Sequence, residues 1–292
     1  AAQNLPGLSV AIGFDGQLAW AEGFGFADLQ TSAPVTPDHP FRIGTASTAV
    51  TSAAAGLLLE QGRLKLDDEI QTYVPAFPKT NQPVTLRQLM GHSPGVIPAG
   101  DSDDSVLFTK RCESPAAMLQ HVPGNWVPFD IPGDRSRYSI YDWILVSAAI
   151  ETGSGQPFLK FMSERVFDPA KMHGTGADQS LDPQALQGED FPLINMVREL
   201  IHDPATTRGL SPNPNSPNRR VTSYFPRFKS DPKYGVHLMR PIDYSCYSGA
   251  AAFVSTPSDL VRFGLALDNG KLLKPATVDL LQTSPRLPSG EE

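Results

Sequence analysis

The chain has 292 residues, a formal net charge of -7 and a pI near 5.4, and 40% of its residues are hydrophobic. That length supports one large domain or two interleaved halves around a sizeable core. The acidic balance argues against a nucleic-acid partner, which needs concentrated Lys and Arg, and no apolar run approaches the roughly 18 residues that cross a bilayer. We therefore expect neither a nucleic-acid partner nor a transmembrane segment.

The first elements in chain order are two strands of a hairpin. Leu8 to Ile12 and Gln17 to Ala21 have strand-like patterns, and Asp15-Gly16 between them is typical of a tight turn. A further short apolar run, Phe41 to Ile43, predicts another strand.

The helix that the sequence predicts most clearly comes next. Thr48 to Gln61 is rich in Ala and Leu and lacks Pro, and Gly62 is suited to end the helix. Because the segment is apolar nearly all round, we expect it to be buried at the centre of the fold.

Four more helices are predicted further along the chain. They are Thr85 to Met90 with Thr85 as N-cap and Gly91 as terminator, Tyr141 to Thr152, Pro157 to Val166, and a final helix beginning at Pro257 after an N-cap at Thr256. Residues 176–235 are rich in Asp, Asn, Pro and Gln, and 213–217 predict a loop or a disordered stretch. Strands first, helices in the middle and no regular βαβ alternation argue against a doubly wound sheet.

One short motif, Gly91 to Gly95, fits the G-x-S-x-G pattern of α/β-hydrolase nucleophiles. That pattern needs a strand before it and a helix after it, and the residue after the nucleophile must donate its N–H to the oxyanion. Here Pro94 follows Ser93 and has no N–H, so we interpret the motif as a helix-ending loop without a catalytic Ser93.

The sequence offers no metal-binding pattern and implies no cofactor. The six His residues are scattered and default to surface or loop positions, since none pairs with a ligand at helical spacing. Cys112 and Cys246 allow one disulfide, but two isolated cysteines make neither a disulfide framework nor a zinc site.

Several blocks, in order and spacing, carry a family resemblance from about Leu5 to Thr283. They are Phe41 to Thr51, Leu57 to Leu66 with Asp67, Asp68 and Tyr73 to Pro75, Leu89 to Gly95, Tyr138 to Ile140, Glu151 to Pro157, Phe161 to Met172, and Ser248 to Thr256 with Asp259 and Arg262 to Gly264. Together they resemble the serine β-lactamase and penicillin-recognising hydrolase family, which includes class C β-lactamases, penicillin-binding proteins and family VIII esterases.

The resemblance implies an α/β (α+β) fold of the β-lactamase/transpeptidase type, with an antiparallel sheet flanked by helices. It implies a discontinuous core, 1–75 with 236–292, and a mainly helical and loop region at 76–235. We expect the antiparallel sheet to combine the N-terminal hairpin with later strands. Bacterial members of this family suggest a periplasmic or secreted location.

The resemblance also places the site residues. Thr45 stands where the family has its nucleophilic Ser, and Thr48 where it has the Lys that accepts the proton. Tyr138 matches the Tyr of the second motif, and Ile140 stands where Asn is usual. Thr45, Thr48 and Tyr138 are therefore the candidate catalytic residues.

Ser47, Ile140 and Gly249 are the candidate binding residues, although Ser47 lies two positions from Thr45 and should point elsewhere on the helix.

Two functions follow from this degraded motif. One is weak hydrolysis of a β-lactam, ester or peptide through Thr45 and Tyr138, since Thr48 cannot accept a proton at neutral pH. The other is an inactive binding or scaffold protein that holds a small acyl, β-lactam or peptide ligand.

The family's third motif has no match before Glu292, and the helix that usually precedes the first strand is missing too. We therefore expect either a fragment or a second chain, which includes a homo-oligomer, that completes the sheet.

Overall fold

The computed structural model of the chain describes residues 5–98, 107–108, 110–122, 126–178, 221–222, 224–225, 237–238, 242–284 and 287–288. At 224–225 and 237–238 the description covers the backbone alone. The predicted loop at 213–217 lies outside these residues. The division into a 76–235 region and a discontinuous core stays a prediction.

The described residues combine helices with short antiparallel strands, which confirms the α/β class. The strands are β1 (Gly7–Phe14), β2 (Gln17–Asp28), β3 (Ala33–Pro34), β4 (Phe41–Arg42), β5 (Val96–Pro98), β6 (Trp126–Pro128), β7 (Gly176–Ala177), β8 (Tyr224–Phe225), β9 (His237–Leu238) and β10 (Phe253–Ser255). The α-helices are α1 (Ser47–Glu60), α2 (Leu86–Met90), α3 (Ile140–Ser154), α4 (Phe158–Met162), α5 (Asp168–Ala170), α6 (Ser248–Ala251), α7 (Pro257–Asp268) and α8 (Pro275–Gln282).

The N-terminal hairpin forms as the sequence predicts. β1 and β2 pair in antiparallel register from Gly7–Gly25 to Phe14–Gln17. Asp15 and Gly16 both have positive φ, 47° and 73°, which is the backbone of the turn that Asp-Gly favours in two-residue hairpins. The turn therefore sets the register of the pairs next to it, and a register shift between Ile12 and Gly13 separates these from the rest of the strand pair.

The later strands do not extend the hairpin sheet within the described residues, and this differs from the prediction. β1 and β2 are joined by β3 alone, whereas β10 lies between β4 and β7 in a second antiparallel sheet. The Ile43 N–H donates to the Phe253 carbonyl at 3.1 Å, so β10 is held beside the entrance to α1. Such pairing joins segments far apart in sequence and leaves no local signal.

Helix α1 is buried at the centre, as predicted. It begins at Ser47, directly after the 3₁₀ turn Gly44–Ala46, and ends at Glu60. Gly62 has φ +67°, which lets the chain reverse direction after the helix. Val50, Ala54 and other apolar side chains around the helix are buried.

Helix α3 packs beside α1 and is also buried on nearly every side. Its residues from Ile140 to Ile150 are all buried, and Gly155 ends it in the left-handed conformation, with φ 68°. Helix α6 contacts both α1 and α3, so these three helices share one apolar core.

The remaining helices differ in part from the prediction. The segment predicted as one helix from Pro157 to Val166 is divided into α4, a π-helical turn at Ser163–Phe167 and then α5. α7 begins as predicted, with the Thr256 side chain accepting from the Asp259 N–H. α8 was not predicted, and its N-cap residue Lys274 makes no side-chain cap.

Cys112 and Cys246 form a disulfide that joins segments 134 residues apart.

None of the described helices has the length and apolar character that crossing a membrane requires.

Candidate active site

The two threonines of the first motif lie at the start of α1. Thr45 is exposed in the 3₁₀ turn, and Thr48 is half-buried in the first turn of the helix. The Thr48 Oγ1 donates to the Thr45 carbonyl at 2.8 Å, a side-chain bond back to the preceding turn. The Thr48 hydroxyl is therefore a donor to backbone and offers no nitrogen that could accept a proton.

Thr48 lines a cavity of about 610 Å³. Its polar lining comes from eight residues, namely Thr48, Ser52, Arg87, His92, Ser136, Gln282, Thr283 and Ser284. Its apolar lining comes mainly from α7, α8 and the segment between them, through Phe263, Leu267, Leu273, Val278 and Leu281. The cavity thus combines a long apolar wall with a few polar groups, as small-molecule sites do.

His92 forms an acid–base pair at the edge of this cavity. Its backbone is in the left-handed region with φ 54°. The ring Nδ1 lies 2.8 Å from the Asp142 Oδ2. Asp142 is fully buried, and burial raises the pKa of its carboxyl to about 6 against the lowering effect of His92. Its Oδ1 has no hydrogen-bond partner among the described residues.

Tyr138 is the neighbour of His92. The two rings have centroids 4.9 Å apart, and the Tyr138 side chain is 59% exposed. Tyr138 therefore contacts His92, and His92 lines the same cavity as Thr48. Thr45 and Tyr138 are not among the residues that line this cavity.

The three predicted binding residues lie in the packed interior. Ser47 is fully buried, and its Oγ accepts from the Phe253 N–H at 3.4 Å, away from Thr45. Ile140 is buried as the first residue of α3. A Cβ on Gly249 would meet Thr51 Oγ1 and lie 2.7 Å from the Ser147 Oγ, so the close packing of α6 on α1 and α3 requires glycine there.

The cation that lines the cavity is already paired. The Arg87 guanidinium donates two hydrogen bonds to Asp67, at 2.7 and 2.9 Å. The same hydrogen bonds lower the pKa of the Asp67 carboxyl. Arg87 cannot replace a lysine base, because its guanidinium does not deprotonate in proteins.

Ser93 lies in the loop that the sequence predicts. Helix α2 precedes it and strand β5 follows, which is the reverse of the order that a G-x-S-x-G nucleophile needs. The Ser93 side chain is buried, and its backbone N–H donates to the Gln88 carbonyl at 2.7 Å.

Sequence reasoning missed the His92–Asp142 pair and treated His92 as a surface or loop histidine. His92 does lie in a loop, but its side chain is only 22% exposed. The available signal was Asp142, a single carboxylate within the apolar run of α3, because a buried carboxylate needs a partner.

Comparisons with known proteins agree with this architecture. The family model described as Beta-lactamase matches residues 1–290. The mitochondrial serine β-lactamase-like protein LACTB of Mus musculus is 38% identical over 271 residues, which cover 68% of this chain and 49% of that protein. The chain spans about half the length of the LACTB proteins of Homo sapiens and Mus musculus that it matches.

Two solved structures show the same fold. D-amino acid amidase from Ochrobactrum anthropi SV3 complexed with L-phenylalanine amide has a TM-score of 0.70 at 24% identity, covering 95% of this chain and 69% of that one. The octameric penicillin-binding protein homologue from Pyrococcus abyssi has a TM-score of 0.67 at 18% identity, covering 98% of this chain and 58% of that one.

Proposed function

The chain belongs to the β-lactamase family of hydrolases with the β-lactamase/transpeptidase-like fold, and on that premise we propose that it transfers an acyl group slowly from an activated ester or β-lactam to the hydroxyl of Thr45. The observation that carries the proposal is the contact of Thr45 with Thr48 and of Tyr138 with His92, because Thr48 and His92 line one cavity at the start of α1. Water then hydrolyses the acyl-threonine.

In the proposed reaction, Thr45 Oγ1 attacks the acyl carbon, its proton passes to the Tyr138 phenol oxygen, and the Tyr138 proton passes to the His92 ring. Collapse of the tetrahedral intermediate expels the alcohol or the lactam nitrogen, which takes a proton from Tyr138 as His92 returns one to Tyr138. His92, which is fixed by Asp142 and lies beside Tyr138, is the imidazole that supports this proton transfer. The Thr48 hydroxyl stands where an amine base would act. We therefore expect the acylation rate to be about 10²- to 10⁴-fold below that of a site that has this base.

The test replaces the missing base. Thr48→Lys is expected to raise the acylation rate more than Thr45→Ser does. The double variant should exceed the sum of the two effects in free energy, because a nucleophile and its base act as a unit. The measurement is covalent adduct by intact mass after incubation with a penicillin and with an activated ester, followed by peptide mapping to Thr45.

Two controls make this test specific. Thr45→Val removes the hydroxyl with little change of shape and should abolish the adduct. Ser52→Lys puts an amine in the same cavity one helical turn later and should not raise acylation, because its nitrogen is not beside the nucleophile. Adduct on Ser136 or Ser52, or no adduct in any variant, would overturn the assignment to Thr45.

A second candidate function is binding without turnover. It is favoured by the Thr48 hydroxyl bond to the Thr45 carbonyl and by Ile140 at the position of the usual Asn. In that case a small acyl, β-lactam or peptide ligand would bind reversibly to the wild-type chain with no adduct at any time. Equilibrium binding measured beside the intact-mass experiment separates the two functions.

We also propose that copies of this chain associate through the hairpin. Four large apolar side chains share one face of β1 and β2 and are 41–52% exposed, namely Leu8, Ile12, Trp20 and Phe24, called here the hairpin face. An exposed apolar patch of this kind is typical of an interaction surface. The Pyrococcus abyssi penicillin-binding protein homologue is octameric, which supports a second copy as the partner.

A further inference from the structure

Three side chains that are distant in sequence from the predicted nucleophile Thr45 lie close to one another in the structure. The sulfurs of Cys112 and Cys246 and a ring nitrogen of His121 all lie within 4.8 Å of one another. The two cysteines are joined as a disulfide, and His121 ends the 3₁₀ turn Pro115–Gln120. We propose that reduction of this disulfide opens a metal site in which Cys112, Cys246 and His121 bind one Zn²⁺ ion.

The distances suit a tetrahedral ion after a small movement. Zn–S bonds of about 2.3 Å and Zn–N bonds of about 2.0–2.1 Å place ligand atoms roughly 3.4–3.8 Å apart at tetrahedral angles. On reduction the two sulfurs must separate to about that distance, and the imidazole must approach by about 1 Å. Two thiolates and one imidazole are ligands that zinc prefers, and water completes the fourth position.

The two segments are held together by contacts that do not depend on the disulfide. The Cys112 N–H donates to the Ser245 Oγ at 2.9 Å, and the Asp243 N–H donates to the Phe108 carbonyl at 3.1 Å. The rings of Phe108 and Tyr247 stack with centroids 5.5 Å apart. The ligands therefore stay near one another when the covalent bond is broken, and this lowers the entropy cost of binding the ion.

Burial and charge favour the ion over two free thiols. Cys246 is fully buried, Cys112 is 8% exposed, and His121 is half-buried, which leaves an opening for the fourth ligand. Two thiolates and Zn²⁺ then form a site with no net charge, which suits a buried position.

The chemistry balances with a named reductant. A dithiol gives two electrons and two protons to the disulfide, so that the protein gains two thiols and the dithiol becomes a cyclic disulfide. Zn²⁺ then displaces the two thiol protons into solvent, and neutral His121 donates a nitrogen lone pair. The disulfide and the metal site exclude each other, because each uses both sulfurs.

The test compares the oxidised full chain with the same chain reduced by a phosphine, which does not compete for zinc as a dithiol does. Each form is titrated with Co²⁺ and then with Zn²⁺ under anaerobic conditions. Native mass spectrometry gives the stoichiometry, and the thiolate-to-cobalt absorption band reports coordination by sulfur. We expect one ion per reduced chain and none on the oxidised chain.

Variants identify the ligands. Cys246→Ser should abolish the cobalt band. His121→Gln should weaken binding by more than about tenfold, since even an outer-sphere partner of a metal contributes that much. The exposed His173→Gln is the matched control and should bind like the wild type.

Three results would overturn the proposal. They are equal binding by the oxidised chain, equal binding by His121→Gln and the wild type, and loss of cooperative melting on reduction before metal is added. The last result would show that the segments are not held together without the disulfide. Because oxidised and reduced wild type have the same sequence, a variant that fails to fold does not decide the outcome.

Discussion

The central helices bury their apolar residues, whereas the N-terminal hairpin leaves its large apolar side chains exposed. α1 and α3 are apolar nearly all round and are buried nearly all round. In the hairpin, Gly13 packs against α7, where an added Cβ would lie 2.9 Å from a methyl of Val261. The large side chains of the hairpin face are turned away from that helix and stay exposed.

The difference shows what each sequence pattern can establish. A helix that is apolar on every side has no stable alternative to burial, so its pattern predicts its position. A strand with apolar residues on one face indicates only that the face needs cover, and the cover comes from another segment or another molecule. The strand pattern therefore predicts the hairpin and not its environment.

The largest expected effect tests this contrast with one residue type. Leu58→Ala removes a fully buried side chain from α1 and should lower the free energy of unfolding by about 2–5 kcal/mol. Leu8→Ala on the hairpin face, where the side chain is 49% exposed, should change it by less than about 0.5 kcal/mol. The measurement is urea unfolding at low protein concentration with the slope compared between variants. Similar losses at the two positions would contradict the contrast.

The next effect concerns the carboxylate inside α3. The pKa of Asp142 is raised by burial from 3.8 to about 6, so its neutral form favours the fold. This contribution is fully present below about pH 3.8 and is lost as the pH rises through 6. At about 1.4 kcal/mol for each pKa unit, the loss amounts to about 3 kcal/mol.

Asp142→Asn removes this titration, so the stability of the variant relative to the wild type should rise by about 2 kcal/mol between pH 4 and 7. Urea unfolding at several pH values measures the difference, which cancels the contributions of the other carboxylates. Asp279→Asn on α8 is the matched control. Parallel pH curves for Asp142→Asn and the wild type would mean that the raised pKa is absent.

Local sequence signals predicted much of the fold. Asp15-Gly16 fixed the hairpin turn, Thr85 and Thr256 marked the starts of α2 and α7, and Gly62 marked the end of α1. In each case a turn or cap is determined by its own few residues. α8 was missed because Lys274 provides no capping side chain and the helix is short.

The site was less predictable because its parts are distant in sequence. Thr45 and Thr48 are three residues apart and the Thr48 hydroxyl donates to the Thr45 carbonyl, but Thr45 does not line the cavity that Thr48 lines. His92 and Asp142 are 50 residues apart, and no local pattern pairs them. The same holds for the second sheet, where Val254 and Ser255 of β10 pair with Arg42 and Phe41 of β4, which lie far away in sequence.

The smallest effect on stability is expected at the hairpin face, where the effect on association should be clear. Ile12→Thr with Phe24→Thr keeps strand-forming residues but removes two exposed apolar side chains, so the free energy of unfolding should change by less than about 0.5 kcal/mol for each site. The wild-type chain should self-associate, and the double variant should shift toward monomer, measured by light scattering after size exclusion. Leu159→Thr on α4 is the matched control, because Leu159 is 43% exposed but lies on a helix away from the hairpin face. A wild-type monomer at all concentrations, or equal shifts in the control, would show that the exposed face is not an interface between copies of this chain.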